Sequence, residues 1–143
     1  MKVEVRNLDE LEKFCFSFLK KLHSNESMAT VVLLSGDLGS GKTAFVKKAA
    51  KYFGVKETIT SPTFVILKRF KLNAHRYTSL VHIDAYRLEK EGELLKLGWS
   101  ELITDPQNII FLEWPENIKK IIPETAKKLK FSFVDEETRV IDF

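Results

Sequence analysis

The architecture follows from Gly36-Asp37-Leu38-Gly39-Ser40-Gly41-Lys42-Thr43, a run that matches the pattern G-x-x-x-x-G-K-[ST] at every position. An apolar run over 30–34 precedes it, and apolar residues at helical spacing follow from Ala44. A strand, a glycine-rich turn and a helix N-terminus together form an anion site, because backbone N–H groups and the positive end of the helix face the phosphates. The sequence therefore predicts a nucleoside triphosphate site, and the alternative is a glycine-rich turn that binds nothing.

The residues of this phosphate loop (36–43) have distinct expected roles. Lys42 reaches the outer phosphates, and the Thr43 hydroxyl is a ligand for Mg²⁺. The strings D-x-x-G and [NT]-K-x-D, which GTPases use, do not occur in the sequence, so ATP is the expected nucleotide. We expect the nucleotide to contact Asp37, Leu38, Gly39, Ser40, Gly41, Lys42, Thr43 and Ala44.

Length and composition are those of one ordinary globular domain. The 143 residues are 44% hydrophobic and 30% charged, so we expect a single P-loop ATPase domain over 1–143. The net charge of +3 is small, and the lysine clusters at 47–51 and 127–130 are expected to be solvated faces. A basic balance of this size does not establish nucleic-acid binding.

Cysteine content and hydropathy bear on the cellular compartment of the protein. Cys15 is the only cysteine in the sequence, and no Cys/His cluster has metal-ligand spacing, as expected in a reducing compartment. The sequence has no signal-peptide pattern and no apolar segment long enough to cross a bilayer. We expect a cytoplasmic protein with no membrane partner.

The rest of the chain alternates strand and helix patterns. Lys2–Arg6 predicts an edge strand, and Asn7 with Glu10 predicts the start of a helix. The later predicted elements are antiparallel strands over 63–71 and 80–87, a helix over 89–103 interrupted at Gly98, a buried parallel strand over 108–114, a short helix closed by Pro123, and a hairpin of 130–134 with 138–143. This order predicts an α/β, three-layer, P-loop NTPase-like fold, with a mixed sheet that has a parallel centre and antiparallel additions, and helices on both faces.

Two carboxylates are placed for phosphoryl chemistry. Asp84 and Glu113 each end an apolar strand, and ligands in open α/β sheets lie beyond the carboxyl ends of parallel strands. A carboxylate there favours a cation partner, because burying an unpaired charge is costly. His82 and Tyr86 are expected on the same strand face as Asp84, either supporting the site or simply packing.

Two further segments have open interpretations. Thr60, Ser61, Pro62 and Thr63 offer hydroxyls on a backbone restricted by proline, which is typical of a nucleotide-sensing loop or of a turn that starts a strand. Trp114 follows Glu113 and is expected either to cover the site or to belong to the core.

Five motifs carry a family resemblance. They are L-S-G-D-L-G-S-G-K-T from Leu34, S-P-T-F from Ser61, H-I-D-A-Y-R-L from His82, L-G-W-S-E-L from Leu97 and F-L-E-W-P-E from Phe111. In this order they resemble the TsaE (YjeE) family of small bacterial P-loop ATPases. The resemblance covers most of the chain, and S-P-T-F, H-x-D-x-Y-R and E-W-P in this order are more specific than the phosphate loop.

The resemblance implies ATP hydrolysis with Mg²⁺ during formation of threonylcarbamoyladenosine in tRNA. It implies association with the TsaB and TsaD proteins, so that tRNA is met indirectly through their complex. It implies Lys42, Asp84 and Glu113 as catalytic residues, Thr43 with Glu113 at the metal, and Trp114 as the site aromatic. The segment 60–63 overlaps the switch-like S-P-T-F motif of the family. Which acid holds the metal and which orients water stays open.

Two rival functions remain open on the sequence alone. A small kinase would transfer the γ-phosphoryl group to a metabolite or a protein. A nucleotide-dependent binding module would use ATP to set its shape, and hydrolysis would be incidental. The sequence has no arginine-rich lid segment of the type that small P-loop kinases close over two substrates.

Overall fold

The computed structural model describes residues 1–57, 59, 66–73 and 76–143. The elements in chain order are β1 (Lys2–Val5), α1 (Leu8–Lys21), β2 (Thr30–Ser35), α2 (Lys42–Tyr52), β3 (Leu67–Lys71), β4 (Ser79–Asp84), α3 (Glu91–Lys96), α4 (Trp99–Ile103), β5 (Asn108–Glu113), a 3₁₀ helix (Pro115–Ile121), β6 (Lys127–Phe133) and β7 (Arg139–Asp142). Within the described ranges, no helix has the length and apolar character needed to cross a membrane.

The strands of the described residues form one seven-stranded sheet in the order β1-β7-β6-β2-β5-β4-β3. The four central strands β6, β2, β5 and β4 are parallel, whereas β1–β7, β7–β6 and β4–β3 are antiparallel pairs. The predicted parallel centre with antiparallel additions is therefore confirmed. The C-terminal hairpin (β6 and β7) continues the central sheet, because β6 lies parallel beside β2.

Helices cover both faces, as the three-layer prediction requires. One core layer lies between the sheet and helices α1 and α2, and it includes Phe45, Phe111 and Phe131. The other lies against α3, α4 and the 3₁₀ helix, and it includes Ile83 and Trp99. Because β2, β4 and β5 are covered on both sides, they are apolar along nearly their whole length.

Local sequence signals set the helix boundaries. Asn7 caps α1, and its side chain accepts a hydrogen bond from the Glu10 N–H at 2.8 Å. Cys15 is fully buried on that helix, and burial raises the pKa of its thiol, so it is a core residue as its position on the apolar stripe suggested. Gly98 has a φ of 94° and separates α3 from α4, which confirms the predicted interruption.

Several predicted boundaries were wrong. The strand predicted over 80–87 ends at Asp84, because the chain turns there and the Tyr86 N–H donates to Asp84 Oδ1 at 3.0 Å. Tyr86 is therefore outside the strand and does not share a strand face with Asp84. Strand β6 begins at Lys127, before the predicted start at 130. Residues 63–65 of the strand predicted over 63–71 lie outside the described residues.

The phosphate loop rests on the C-terminal hairpin. Gly36 has a φ of 139°, and a Cβ at this position would overlap the backbone oxygen of Phe131 and lie 2.7 Å from Ser40 Oγ. Only glycine accepts both that backbone conformation and that close approach. The first glycine of the loop thus lets the loop lie directly on β6.

Replacing Gly36 with alanine should destabilise the fold. The backbone strain alone is about 1–3 kcal/mol, and the overlap with Phe131 adds to it. Urea unfolding should therefore show a lower midpoint for Gly36→Ala. Gly92→Ala is the matched control, because a Cβ there meets nothing within 4 Å and alanine favours the helix by up to about 1 kcal/mol. An unchanged midpoint for Gly36→Ala would contradict the close packing of the loop on β6.

Candidate nucleotide-binding site

The phosphate loop joins the carboxyl end of β2 to the first residue of α2. Gly41 precedes the helix with a φ of 108°, a conformation that only glycine adopts readily. Lys42 is therefore the first residue of an 11-residue helix. The N–H groups at this helix end lack intrahelical acceptors, and the helix dipole is positive here, so an anion is favoured in front of the loop.

Lys42 is buried, and its amine is held by the loop itself. Its Nζ donates to the backbone oxygen of Gly36 and, at 2.9 Å, to that of Asp37. The amine also lies 4.3 Å from the centre of the Trp114 ring, a cation–π arrangement. Burial lowers the pKa of Lys42, and the charge of Glu113 opposes that shift. The ammonium group thus lies among weak partners, and a phosphate could replace them.

A chain of hydrogen bonds links the phosphate loop to two strands. Thr43 Oγ1 donates to Glu113 at 3.0 Å from Oε1 and 3.1 Å from Oε2. His82 Nε2 lies 2.6 Å from Glu113 Oε2. Glu113 is only 2% exposed, so these contacts fix its carboxylate at the tip of β5. His82, which the sequence left as either support or packing, contacts this predicted catalytic acid directly.

Asp84 lies beside Glu113 because β4 and β5 are in parallel register, with the two residues paired. Burial raises the pKa of the Asp84 carboxyl; the N–H of Tyr86 opposes this shift, and the charge of Glu113 acts in the same direction as burial. Two carboxylates therefore share one edge of the sheet in front of the phosphate loop. Such a pair favours a cation between them and the loop.

Trp114 has a strained backbone. Among the residues that the structure describes, it is the only non-glycine residue with a positive φ, at 60°. Its N–H donates to the Leu34 oxygen at 3.2 Å, and its ring lies 5.0 Å from that of Tyr86. This conformation places the ring over Lys42, and the ring also packs against the core layer that includes Ile83 and Trp99, so Trp114 lies where the site meets the core. Strain of this kind is concentrated at functional sites.

Most of the predicted site residues line one cleft. Its volume is about 490 Å³, and its lining includes Lys42, Thr43, Asp84, Glu113 and Trp114. The other lining residues are Leu38, Gly39, Ser40, Gly41, Ala44, Tyr86, Arg87 and Arg139. Asp37 contributes its backbone oxygen to Lys42 and does not line the cleft. Thr60, Ser61, Pro62 and Thr63, the predicted switch-like segment, lie outside the described residues.

The sequence interpretation missed Arg139. This residue reaches the phosphate loop from β7 and donates from Nη2 to the Gly39 oxygen at 3.0 Å. No local pattern marks it, because the two residues are 100 positions apart in the chain. A larger cleft of about 800 Å³ lies at the opposite ends of β2 and β6, and its lining contains none of the predicted site residues.

The donor set suits Mg²⁺ bound together with phosphates. Thr43 and Glu113 offer a hydroxyl and a carboxylate, which are the oxygen ligands that this ion prefers. Within the described residues, no cluster of three or more His, Cys, Asp or Glu could hold a metal alone. Magnesium commonly takes one or two protein ligands and completes its shell with phosphates and water, so this arrangement fits a nucleotide-bound ion.

Comparisons with known proteins find similarity along most of the chain. The family model described as threonylcarbamoyl adenosine biosynthesis protein TsaE matches residues 5–141. The tRNA threonylcarbamoyladenosine biosynthesis protein TsaE of Rickettsia bellii is 34% identical over 133 residues, covering 92% of this chain and 86% of the relative. The protein of the same name from Bacillus subtilis is 34% identical over 79% of this chain and 68% of the relative. The crystal structure of YdiB from Bacillus subtilis aligns with a TM-score of 0.75 at 25% identity, covering 99% of this chain and 82% of that one.

The raised pKa of Asp84 predicts a pH-dependent cost to stability. Because the folded-state pKa lies above the unfolded value, the folded chain holds the proton more tightly, and stability falls as pH rises from the unfolded pKa through the folded one. Asp84→Asn should therefore be more stable than wild type at pH 7, and the difference should vanish at a pH below both values. Urea midpoints measured across pH test this, with the exposed Asp9→Asn as the control. Equal midpoints at pH 7 would contradict the burial cost.

Proposed function

The chain belongs to the TsaE family, and we propose on that premise that it is an ATPase that acts in the formation of threonylcarbamoyladenosine in tRNA. The proposed unit of activity is one nucleotide-binding domain over 1–143. The observation that carries the proposal is the single cleft in which Lys42 and Thr43 of the phosphate loop face Asp84 and Glu113 from two strand tips.

In this proposal the phosphate loop accounts for the binding of ATP. The N–H groups of the phosphate loop and the amine of Lys42 would hold the phosphates of ATP, with Lys42 exchanging the Gly36 and Asp37 oxygens for phosphate oxygens. That exchange is favourable because a buried ammonium gains a full anionic partner. As negative charge develops on the γ-phosphoryl group, Lys42 and the loop amides would stabilise it.

The two acids have separable roles in this proposal. Thr43 and Glu113 would hold Mg²⁺, because their oxygens already converge within 3.1 Å. When bound, the ion neutralises charge on the β- and γ-phosphates. Asp84, the neighbour of Glu113 across the sheet, would orient the attacking water. His82 would keep the Glu113 carboxylate in place.

Partners complete the proposal. We propose that the nucleotide state of the chain controls its association with TsaB and TsaD, and that hydrolysis supports repeated turnover of their transferase activity. Arg87 and Arg139 line the cleft, and Arg139 is already held by backbone oxygens of the hairpin and the loop, so we propose that the site needs further positive charge at the γ-phosphate. Such charge would come from a partner, and isolated turnover would be slow.

Substitution of the site residues should separate chemistry from folding. Lys42→Ala, Asp84→Ala and Glu113→Ala should each lower ATP hydrolysis by about 10²- to 10³-fold, because each removes a preorganised charge. Phosphate release and reconstituted tRNA modification should be measured under single and multiple turnover, with the exposed Lys47→Ala as the control. If hydrolysis resets the complex, we expect the three variants to lose tRNA modification under multiple turnover and to keep it under single turnover.

The same reconstitution tests the rival functions. With γ-labelled ATP, a kinase would give a labelled acceptor, whereas the proposed ATPase gives free phosphate. A binding module would keep full tRNA modification over many turnovers in Glu113→Ala although hydrolysis is lost. Either result would contradict the proposed function.

Adding TsaB and TsaD should raise the hydrolysis rate of the isolated chain. The reason is that charge supplied across an interface stabilises phosphoryl transfer, and in other NTPases this contributes about 10³- to 10⁵-fold. The comparison is the rate of phosphate release with and without the purified partner complex. A rate unchanged at saturating partner would show that partners do not gate the chemistry.

A further inference from the structure

The guanidinium of Arg139 joins the C-terminal hairpin to the crest (residues 38–41) of the phosphate loop. Its Nη2 donates to the Gly39 oxygen at 3.0 Å. Its Nη1 donates to the Thr138 oxygen at 3.0 Å and to the Asp135 oxygen in the hairpin turn. The planar fork is therefore anchored on the hairpin by one nitrogen and holds the loop with the other.

Packing fixes the same side chain in place. The guanidinium carbon lies 4.6 Å from the centre of the Phe133 ring, a cation–π contact. The aliphatic stem passes under the second half of the loop, because a Cβ at Gly41 would lie 3.8 Å from Arg139 Cγ. Arg139 thus binds Gly39 and lies next to Gly41.

No described residue packs against the side of Gly39 where a side chain would stand. Gly39 is exposed, and a Cβ at this position would meet no atom within 4 Å. Gly39 also has a φ of 76°, so its backbone is open to many conformations. The hydrogen bond from Arg139 to the Gly39 oxygen therefore opposes this freedom, together with the turn bond from the Ser40 N–H to the Asp37 oxygen.

The arrangement leaves two buried polar atoms without partners within the described part of the chain. They are Arg139 Nε and Ser40 Oγ, and both lie at the crest of the loop. A buried donor without an acceptor costs free energy and calls for an explanation. The crest is therefore held in a conformation that its own hydrogen bonds do not fully satisfy, which is expected of a site prepared for a ligand.

We propose that Arg139 is a positioning residue of the nucleotide site, which holds the Gly39 oxygen on the hairpin and so keeps the loop amides aimed at the phosphates before the nucleotide arrives. This inference rests on the proposed function, in which the loop binds a triphosphate. The physical gain is preorganisation: the ordering of a glycine-rich loop is completed during folding and does not reduce the binding free energy. Arg139 acts through the loop and is not assigned a contact with the nucleotide.

The test compares Arg139→Met and Arg139→Lys with Arg69→Met. Met keeps an apolar stem on Phe133 and removes the donors, and Lys keeps the charge and one donor. Arg69 is the matched control, because it donates to Ser79 and Asn108 at the opposite end of the sheet. Calorimetry should give the Kd of each folded variant for MgATP and for magnesium with inorganic tripolyphosphate, below the unfolding temperature of each variant.

Arg139→Met should bind both ligands about 10- to 100-fold more weakly, because one charge-assisted hydrogen bond no longer orders the loop. Arg139→Lys should recover part of that affinity. The kcat at saturating ATP should change much less than KM. Arg69→Met should lose stability without losing affinity.

Three results would overturn the inference. Unchanged affinity with a lower unfolding temperature would make Arg139 a purely structural residue. A loss confined to ATP, with tripolyphosphate binding unchanged, would place Arg139 against the nucleoside instead. If wild type bound neither ligand, the proposed function would fail and this inference with it, whereas normal wild-type binding with either of the first two results overturns the inference alone.

Discussion

Parallel pairing of β5 with β2 and β4 is the constraint on which the site depends. That pairing sets Leu34 beside Glu113 and Asp84 beside Glu113, so three strands end at the same level. The phosphate loop begins immediately after the first of these strands, and its Thr43 therefore meets the carboxylate of Glu113 without any long side chain having to bridge a gap. A slip of one residue in β5 would turn this carboxylate to the other face of the sheet, because side chains alternate along a strand. The register is held by apolar residues buried on both faces, so the energy that positions the acids comes from the core.

The same geometry carries an electrostatic cost. Lys42 and Glu113 are buried and Asp84 is half-buried, and burial moves the pKa of Lys42 down and that of Asp84 up. The opposite charges offset part of this cost, and backbone oxygens satisfy the lysine amine in the meantime. A magnesium-bound triphosphate would bring both kinds of missing partner at once, a polyanion for the lysine and a dication for the acids. The buried charges lower the stability of the fold, and their new partners would return that free energy on binding. This is expected where function requires charges to be desolvated.

The sequence predicted what is local and failed where the outcome depends on distant contacts. The loop, the strand ends at Asp84 and Glu113, and the cap at Asn7 carry their signals within a few residues, and the apolar runs predicted the parallel centre of the sheet. Tyr86 was wrongly placed on a strand because β propensity continued past a turn that a side chain of Asp84 makes. Strand alternation placed His82 on the face of Asp84, but its contact with Glu113 and the reach of Arg139 to Gly39 depend on which strands become neighbours. The family resemblance implied Trp114 as the site aromatic, whereas the positive φ that places its ring over Lys42 has no recognisable local signal in the sequence.

The phosphate loop is supported from both sides of β2, and the two supports differ in kind. On the β5 side the Trp114 N–H donates to Leu34 and Glu113 accepts from Thr43, so the base of the loop is tied by hydrogen bonds to the strand that carries the acids. On the β6 side the backbone of Phe131 lies directly under Gly36, and Arg139 holds the crest. Because β6 pairs with β2 in parallel, the hairpin reaches the loop from the same edge of the sheet as the acids do. A movement of the loop would therefore disturb its contacts with β5 and with the hairpin together, although these elements lie far apart in the chain.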